Sequence, residues 1–242
     1  MKNFFSAVVS DAAPIGGSPS LAARQAGPSL EGSTLLETRL RRARLGLLVG
    51  LVGIVMIFVS FTSAYVVRQG LPTVDPRTDT LIRDWFALPL PRLLFVNTLV
   101  LLVSSATMEL ARRQIARQAA MTRTALSNLG TESDRRWNAS WLALTVVLGL
   151  SFLAGQWTAW RELAARGFYV STNPSSSFFY LLTGTHGVHL LGGVLALVVA
   201  MVAALLRRPI ESRVVILDIA GWYWHFMAAL WIYILCLLKF AR

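Results

Sequence analysis

Five apolar runs, each long enough to cross a bilayer, dictate what this sequence can fold into: about Leu45 to Val67, Leu93 to Leu110, Trp141 to Trp160, Phe178 to Leu206 and Val215 to Phe240. Roughly 20 apolar residues in a helix cover the hydrocarbon core. Lipid offers no partner to backbone N–H and C=O groups, so a segment of this kind crosses as a helix. The expected fold class is therefore all-α, a polytopic bundle of five transmembrane helices. With 55% hydrophobic and 14% charged residues over 242 positions, and a mean hydropathy of +0.57, a soluble domain does not compete with that reading. The fourth run is long and implies a tilt or an extension past the membrane surface.

A net charge of +11 would suggest nucleic acid in a soluble protein. Its distribution points to topology instead, because basic residues concentrate on the cytoplasmic side. With the N-terminus inside, the groups around Arg39 to Arg44, Arg112 to Arg136 and Arg207 to Arg213 put thirteen basic residues inside against eight outside. Asp75, Asp79 and Asp84 partly neutralise the first outer loop. The expected orientation is N-inside and C-outside, with no nucleic-acid partner. Residues 1–37, rich in Ala, Gly, Pro and Ser and without a sustained period, read as a disordered cytoplasmic tail before a membrane domain over 38–242. The apolar run from Phe4 to Val9 is too short for the core of a secretory signal. Cys236, the single cysteine, excludes an intrachain disulfide and an all-cysteine metal cluster.

Polar residues inside the runs mark the interior of the bundle. An imidazole in lipid is costly unless it faces protein, so His186, His189 and His225 point inward. His186 and His189 are three residues apart on one helix, and Asp218 and His225 are two turns apart on the last. Such histidines could clasp a haem iron. The more ordinary reading is hydrogen bonding across helices. Asn97 and Gln156 read as side-chain ties between helices. Glu109 precedes Arg112 and Arg113 by three and four residues, which favours an interfacial ion pair over a proton relay. Small residues spaced four apart, Gly46 and Gly50 on the first helix and Gly192, Ala196, Ala200 and Ala204 on the fourth, read as helix-contact faces. Trp141, Trp157, Trp160, Trp222, Tyr223 and Trp224 lie near span ends, as interfacial belts do.

Five segments in order resemble the cytochrome c oxidase subunit III family of the haem-copper respiratory oxidases: SAYVVR at 63–68, VNTLVLLVSSATMELA at 96–111, LGLSFLAGQ at 148–156, FFYLLTGTHGVHLLGG at 178–193 and WYWHF at 222–226. The likeness is to the short, five-helix bacterial form. It implies an accessory, non-catalytic subunit in the bacterial inner membrane, with N-inside topology. The implied partners are the catalytic subunit I, subunit II and membrane phospholipid, and the haems and copper belong to the partner subunits. It also implies a role in stabilising the complex and sustaining proton uptake. The residue inventory agrees, since three histidines and one cysteine cannot build two haem sites and the copper centres. Where many relatives of that family carry acids, this chain has Ile54, Ala159 and Ala228, which favours a scaffold over proton coupling through those positions. Two other readings remain on sequence grounds: the related subunit of a nitric oxide reductase, and a b-type cytochrome holding haem on its own histidines.

Overall fold

The computed structural model describes residues 21–74, 81–82, 85, 88–123, 132–205 and 210–240. It contains α1 (Leu21–Gly70), α2 (Leu93–Arg123), α3 (Glu132–Ala165), α4 (Pro174–Leu205) and α5 (Ile210–Phe240). All five are long and apolar enough to span a membrane, over Leu36–Gly70, Leu93–Ala120, Ala139–Ala165, Pro174–Val202 and Ser212–Phe240. Between α1 and α2 lies a two-residue antiparallel ribbon, β1 (Thr73–Val74) and β2 (Leu81–Ile82), pairing Thr73 with Ile82. The stretch expected as a tail lies outside the described residues up to position 20, and its backbone is helical from Leu21. Residues up to Thr38 group as a unit of their own, and the helix bundle is built from Arg39–Arg242.

Helices α2, α3, α4 and α5 close a ring in which α2 packs on α3, α3 on α4, α4 on α5 and α5 on α2. The buried residues explain why. Along α2 they are Leu94, Asn97, Leu101, Ser104, Met108, Ala111 and Ile115, and along α3 Leu142, Thr145, Gly149, Phe152, Gln156, Ala159 and Leu163. The steps alternate between three and four. That spacing keeps one narrow seam facing its neighbours, the geometry of left-handed helix bundles. The same rhythm runs through Leu190, Gly193, Leu197 and Ala200 of α4, and through Leu217, Ala220, Trp224, Met227, Trp231 and Ile234 of α5.

Close approach within the ring occurs at specific glycines. A Cβ on Gly149 would lie 2.7 Å from the Trp224 ring, and one on Gly193 would lie 3.0 Å from Tyr223 and 3.2 Å from Trp224. Trp224 is fully buried between these two helices.

Local chemistry sets the α3–α4 turn. Gly167, at φ +85°, follows the last turn of α3, and the Phe168 N–H donates to the Leu163 carbonyl, closing the helix as a left-handed C-terminal residue does. Pro174 opens α4, where its missing N–H costs nothing, and the Asn173 N–H donates to Ser176 Oγ at 3.3 Å.

Helix α1 stands at the side of the ring. Only 6% of its apolar window is buried inside the chain, against 33% for α2, α3 and α4 and 44% for α5. Its attachment runs along one edge. Phe58 meets the His189 ring at 6.0 Å, and Tyr65 sits edge-on to Trp85 at 5.0 Å and to Phe178 at 5.7 Å. The Tyr233 hydroxyl of α5 donates to Thr62 Oγ1 at 2.9 Å.

Candidate functional site

Polar chemistry in the ring falls into two clusters at different depths. The first lies in the interior, on the seam positions. Asn97, Gln156 and His186 are buried on α2, α3 and α4. Asn97 Nδ2, both side-chain polar atoms of Gln156 and both ring nitrogens of His186 have no hydrogen-bond partner among the described residues. His186 is walled by aromatic rings, Phe152 of α3 edge-on at 6.0 Å and Trp231 of α5 at 5.2 Å. Asn97 lies against Gly155, whose missing side chain makes room: a Cβ there would overlap Asn97 Oδ1.

Hydroxyls complete the stitching. Trp231 Nε1 donates to Thr98 Oγ1 at 2.9 Å, Trp224 Nε1 to Ser104 Oγ at 3.2 Å, and Ser104 Oγ to the Thr145 carbonyl at 3.2 Å. Thr107 and Thr145 hydroxyls meet at 2.9 Å, and Trp160 Nε1 donates to Thr183 Oγ1 at 3.1 Å. The Tyr223 hydroxyl of α5 donates to the His189 carbonyl of α4 at 2.8 Å. Each ring contact among α2, α3, α4 and α5 thus carries a polar tie of the kind worth about 0.6 kcal/mol in a bilayer.

The second cluster gathers charge where α1, α2 and α5 meet. Asp218 of α5, with its side chain 7% exposed, accepts from Arg44 Nε at 2.7 Å and a second Arg44 nitrogen at 3.0 Å. It also accepts from Arg112 at 3.3 Å. Arg112 is shared, donating to both Glu109 oxygens at 2.8 and 2.9 Å. Arg113 adds a contact to Glu109 at 2.6 Å, and His225 Nε2 lies 3.4 Å from the same carboxylate. The other His225 nitrogen is 2.6 Å from Ser105 Oγ. Three arginines and one imidazole therefore surround two carboxylates, and neither acid is left unpaired. An ion-pair network of this sort ties three helices.

The polar residues singled out by the sequence divide between these clusters and one outlying position. Glu109, Asp218 and His225 share the charged cluster, whereas Asn97, Gln156 and His186 belong to the interior. His189 faces α1, with Nδ1 2.7 Å from the carbonyl of Thr185 in its own helix. The three imidazoles thus meet different neighbours, His186 the rings of Phe152 and Trp231, His189 the ring of Phe58, and His225 Ser105 and Glu109. Among the described residues no group of three or more His, Cys, Asp or Glu is placed to hold a metal ion.

The small-residue faces are only partly used within this chain. Open space surrounds Gly46, Gly50 and Gly192, and Ala196 is exposed, so α1 and α4 do not approach each other there. Ala200 is buried, and the side chain of Ala204 lies outside the described residues. The close approaches use Gly149, Gly155, Gly193 and, against Arg112, Gly221. Trp224, expected in an interfacial belt, instead fills the ring. Arg44, Ser104, Ser105 and Thr98 carry ties that no local pattern signalled.

The family model for cytochrome c oxidase subunit III matches residues 37–241. The probable cytochrome c oxidase subunit 3 of Mycobacterium tuberculosis is 30% identical over 102 residues, covering 42% of this chain and 50% of that protein. Cytochrome c oxidase subunit 3 of Chondrus crispus is 26% identical over 197 residues, covering 79% and 64%, and that of Danio rerio is 28% identical over 196 residues, covering 79% and 66%. The chain thus spans about half the length of the mycobacterial relative and about two thirds of the other two. The family match runs from the start of the first span to the end of the last, through both polar clusters, and on that basis the chain belongs to the cytochrome c oxidase subunit III family.

Proposed function

We propose that this protein is the accessory subunit III of a haem-copper terminal oxidase in aerobic electron transport. It packs against the catalytic subunit I and beside subunit II, which hold the haems and copper. It sits in a bacterial inner membrane with its N-terminus inside, the orientation favoured by the arginine distribution. Its work is mechanical: a stitched helix ring that holds phospholipid, keeps the catalytic subunit intact during turnover and sustains proton uptake. Of its interior polar residues Asn97, Gln156, His186, His189 and His225, the last serves as a tie between helices, through Ser105 and Glu109. The observation that carries this reading is the family match over 37–241, supported by an ion-pair network in which both acids are neutralised.

Purification from native membranes in mild detergent tests it. A haem-copper catalytic subunit should accompany the chain, and haem absorbance should vanish when that partner is stripped away. Haem retained by the isolated chain, or co-purification with a nitric oxide reductase core instead, would overturn the proposal.

A further inference from the structure

Asn97, Gln156 and His186 belong to one layer of the ring. Helices α3 and α4 form a hairpin whose register is set by Trp160 Nε1, which donates to Thr183 Oγ1 at 3.1 Å. One turn further from the hairpin turn on each helix come Gln156 and His186, so these two side chains stand at the same depth. Helix α2 joins the layer because the Asn97 side chain lies against Gly155, the residue before Gln156. Helix α5 closes it with Trp231, whose ring is 5.2 Å from His186 and whose indole N–H is held by Thr98.

The three side chains are almost wholly buried, with Asn97 and Gln156 3% exposed and His186 0%. Five of their polar atoms have no residue partner: Asn97 Nδ2, both of Gln156 and both ring nitrogens of His186. Five such atoms left bare would cost as much as the whole net stability of a folded domain. Their chemistry selects what can satisfy them. Two carboxamide NH2 groups donate, the Gln156 carbonyl accepts, and a neutral imidazole supplies one donor and one acceptor. A cation asks for acceptors alone and an anion for donors alone, whereas water offers both. The nearest acid on α2, Glu109, lies three turns beyond Asn97. Buried Ala159 on α3 and Ala228 on α5 flank the layer, so these two helices present only a methyl group on either side of it.

We propose that the ring interior binds ordered water shared by Gln156, His186 and Asn97, a polar tie that joins α2, α3 and α4 through solvent rather than by direct contact. Buried water of this kind bridges two to four polar groups and belongs to the structure. The assignment goes beyond the subunit III reading and does not rest on which catalytic subunit the chain joins.

Water-edited solid-state NMR of the full chain in liposomes, with nitrogen labels in histidine rings and glutamine side chains, reads contact with water atom by atom. His225, whose side chain is 35% exposed, is the internal reference. In wild type the His186 and Gln156 signals should build from water as early as that of His225. His186→Phe should cut the Gln156 signal severalfold, because the shared water loses a partner, and His186→Gln, which keeps a donor and an acceptor, should restore most of it. Wild-type His186 and Gln156 signals that stay dark while His225 builds would overturn the assignment, as would a Gln156 signal unchanged in His186→Phe. The wild-type comparison decides the matter even if His186→Phe does not fold.

Discussion

Asp218→Asn tests whether the charged cluster is what fastens α1 to the ring. The substitution keeps the shape of the side chain and removes its charge. Asp218 accepts three hydrogen bonds, two from Arg44 and one from Arg112, and it is nearly buried. Arg112 keeps Glu109 after the change. Arg44 has no second acid among the described residues, but its side chain is 52% exposed, so it turns to water or lipid phosphate and the loss is partly recovered. A forked contact to a buried carboxylate stands at the upper end of what an exposed pair is worth, so the Arg44–Asp218 coupling comes to about 1 kcal/mol. Loss of the charge from Arg112 as well brings the single Asp218→Asn cost to about 2 kcal/mol. A double-mutant cycle with Arg44→Gln, read by unfolding in mixed micelles, isolates the pair term. Spin labels on α1 and α5 report whether the helices separate. If the two substitutions are additive within about 0.3 kcal/mol, and the label distance is unchanged in Asp218→Asn, the anchoring argument fails.

Gly155→Ala should cost about 1–3 kcal/mol, because its methyl would overlap Asn97 Oδ1; Gly187→Ala, with open space at that position, should be near neutral, and thermal melts of the pair check both. Ala228→Asp places a carboxylate on the buried face of α5 and should cost about 3 kcal/mol, read as a fall in the monodisperse fraction after extraction. Tyr233→Phe removes the donor to Thr62 and should cost only about 0.6 kcal/mol, since Thr62 still donates to the Phe58 carbonyl at 2.8 Å; unfolding in micelles measures it.

The features legible in the sequence arose from constraints that act locally. The bilayer imposes a length and a hydropathy on every span, so the five helices were visible as runs. Glu109 and its arginines lie within one helical turn, and periodicity alone brings them together. Asp218 was visible as an interior acid, but Arg44 is 174 residues away, and no local pattern joins them. Within the chain the small-residue faces are only partly used, for a geometric reason. Successive residues point about 100° apart on a helix, and of the pair Gly192–Gly193 the second is on the seam. Trp224 was misread in the same way: a tryptophan near a span end suits either a belt or a core, and only the placement of Gly149 and Gly193 opposite it decides. His186 and His189, although three residues apart, meet different neighbours because the ring and α1 approach α4 from different sides.

The attachment of α1 also bears on how the protein is made. A chain inserted from its N-terminus releases α1 into lipid long before α5 exists. The α2–α3 hairpin can pack as soon as its second half arrives, whereas Arg44 has to wait for Asp218, and Thr62 for Tyr233. Until then α1 has only its ring contacts to hold it, Phe58 on His189 and Tyr65 on Trp85 and Phe178. The polar fastening of the first helix is therefore completed by the last, and a chain truncated before α5 leaves α1 without its ion pair and its hydrogen bond and the α2–α3–α4 seam uncovered.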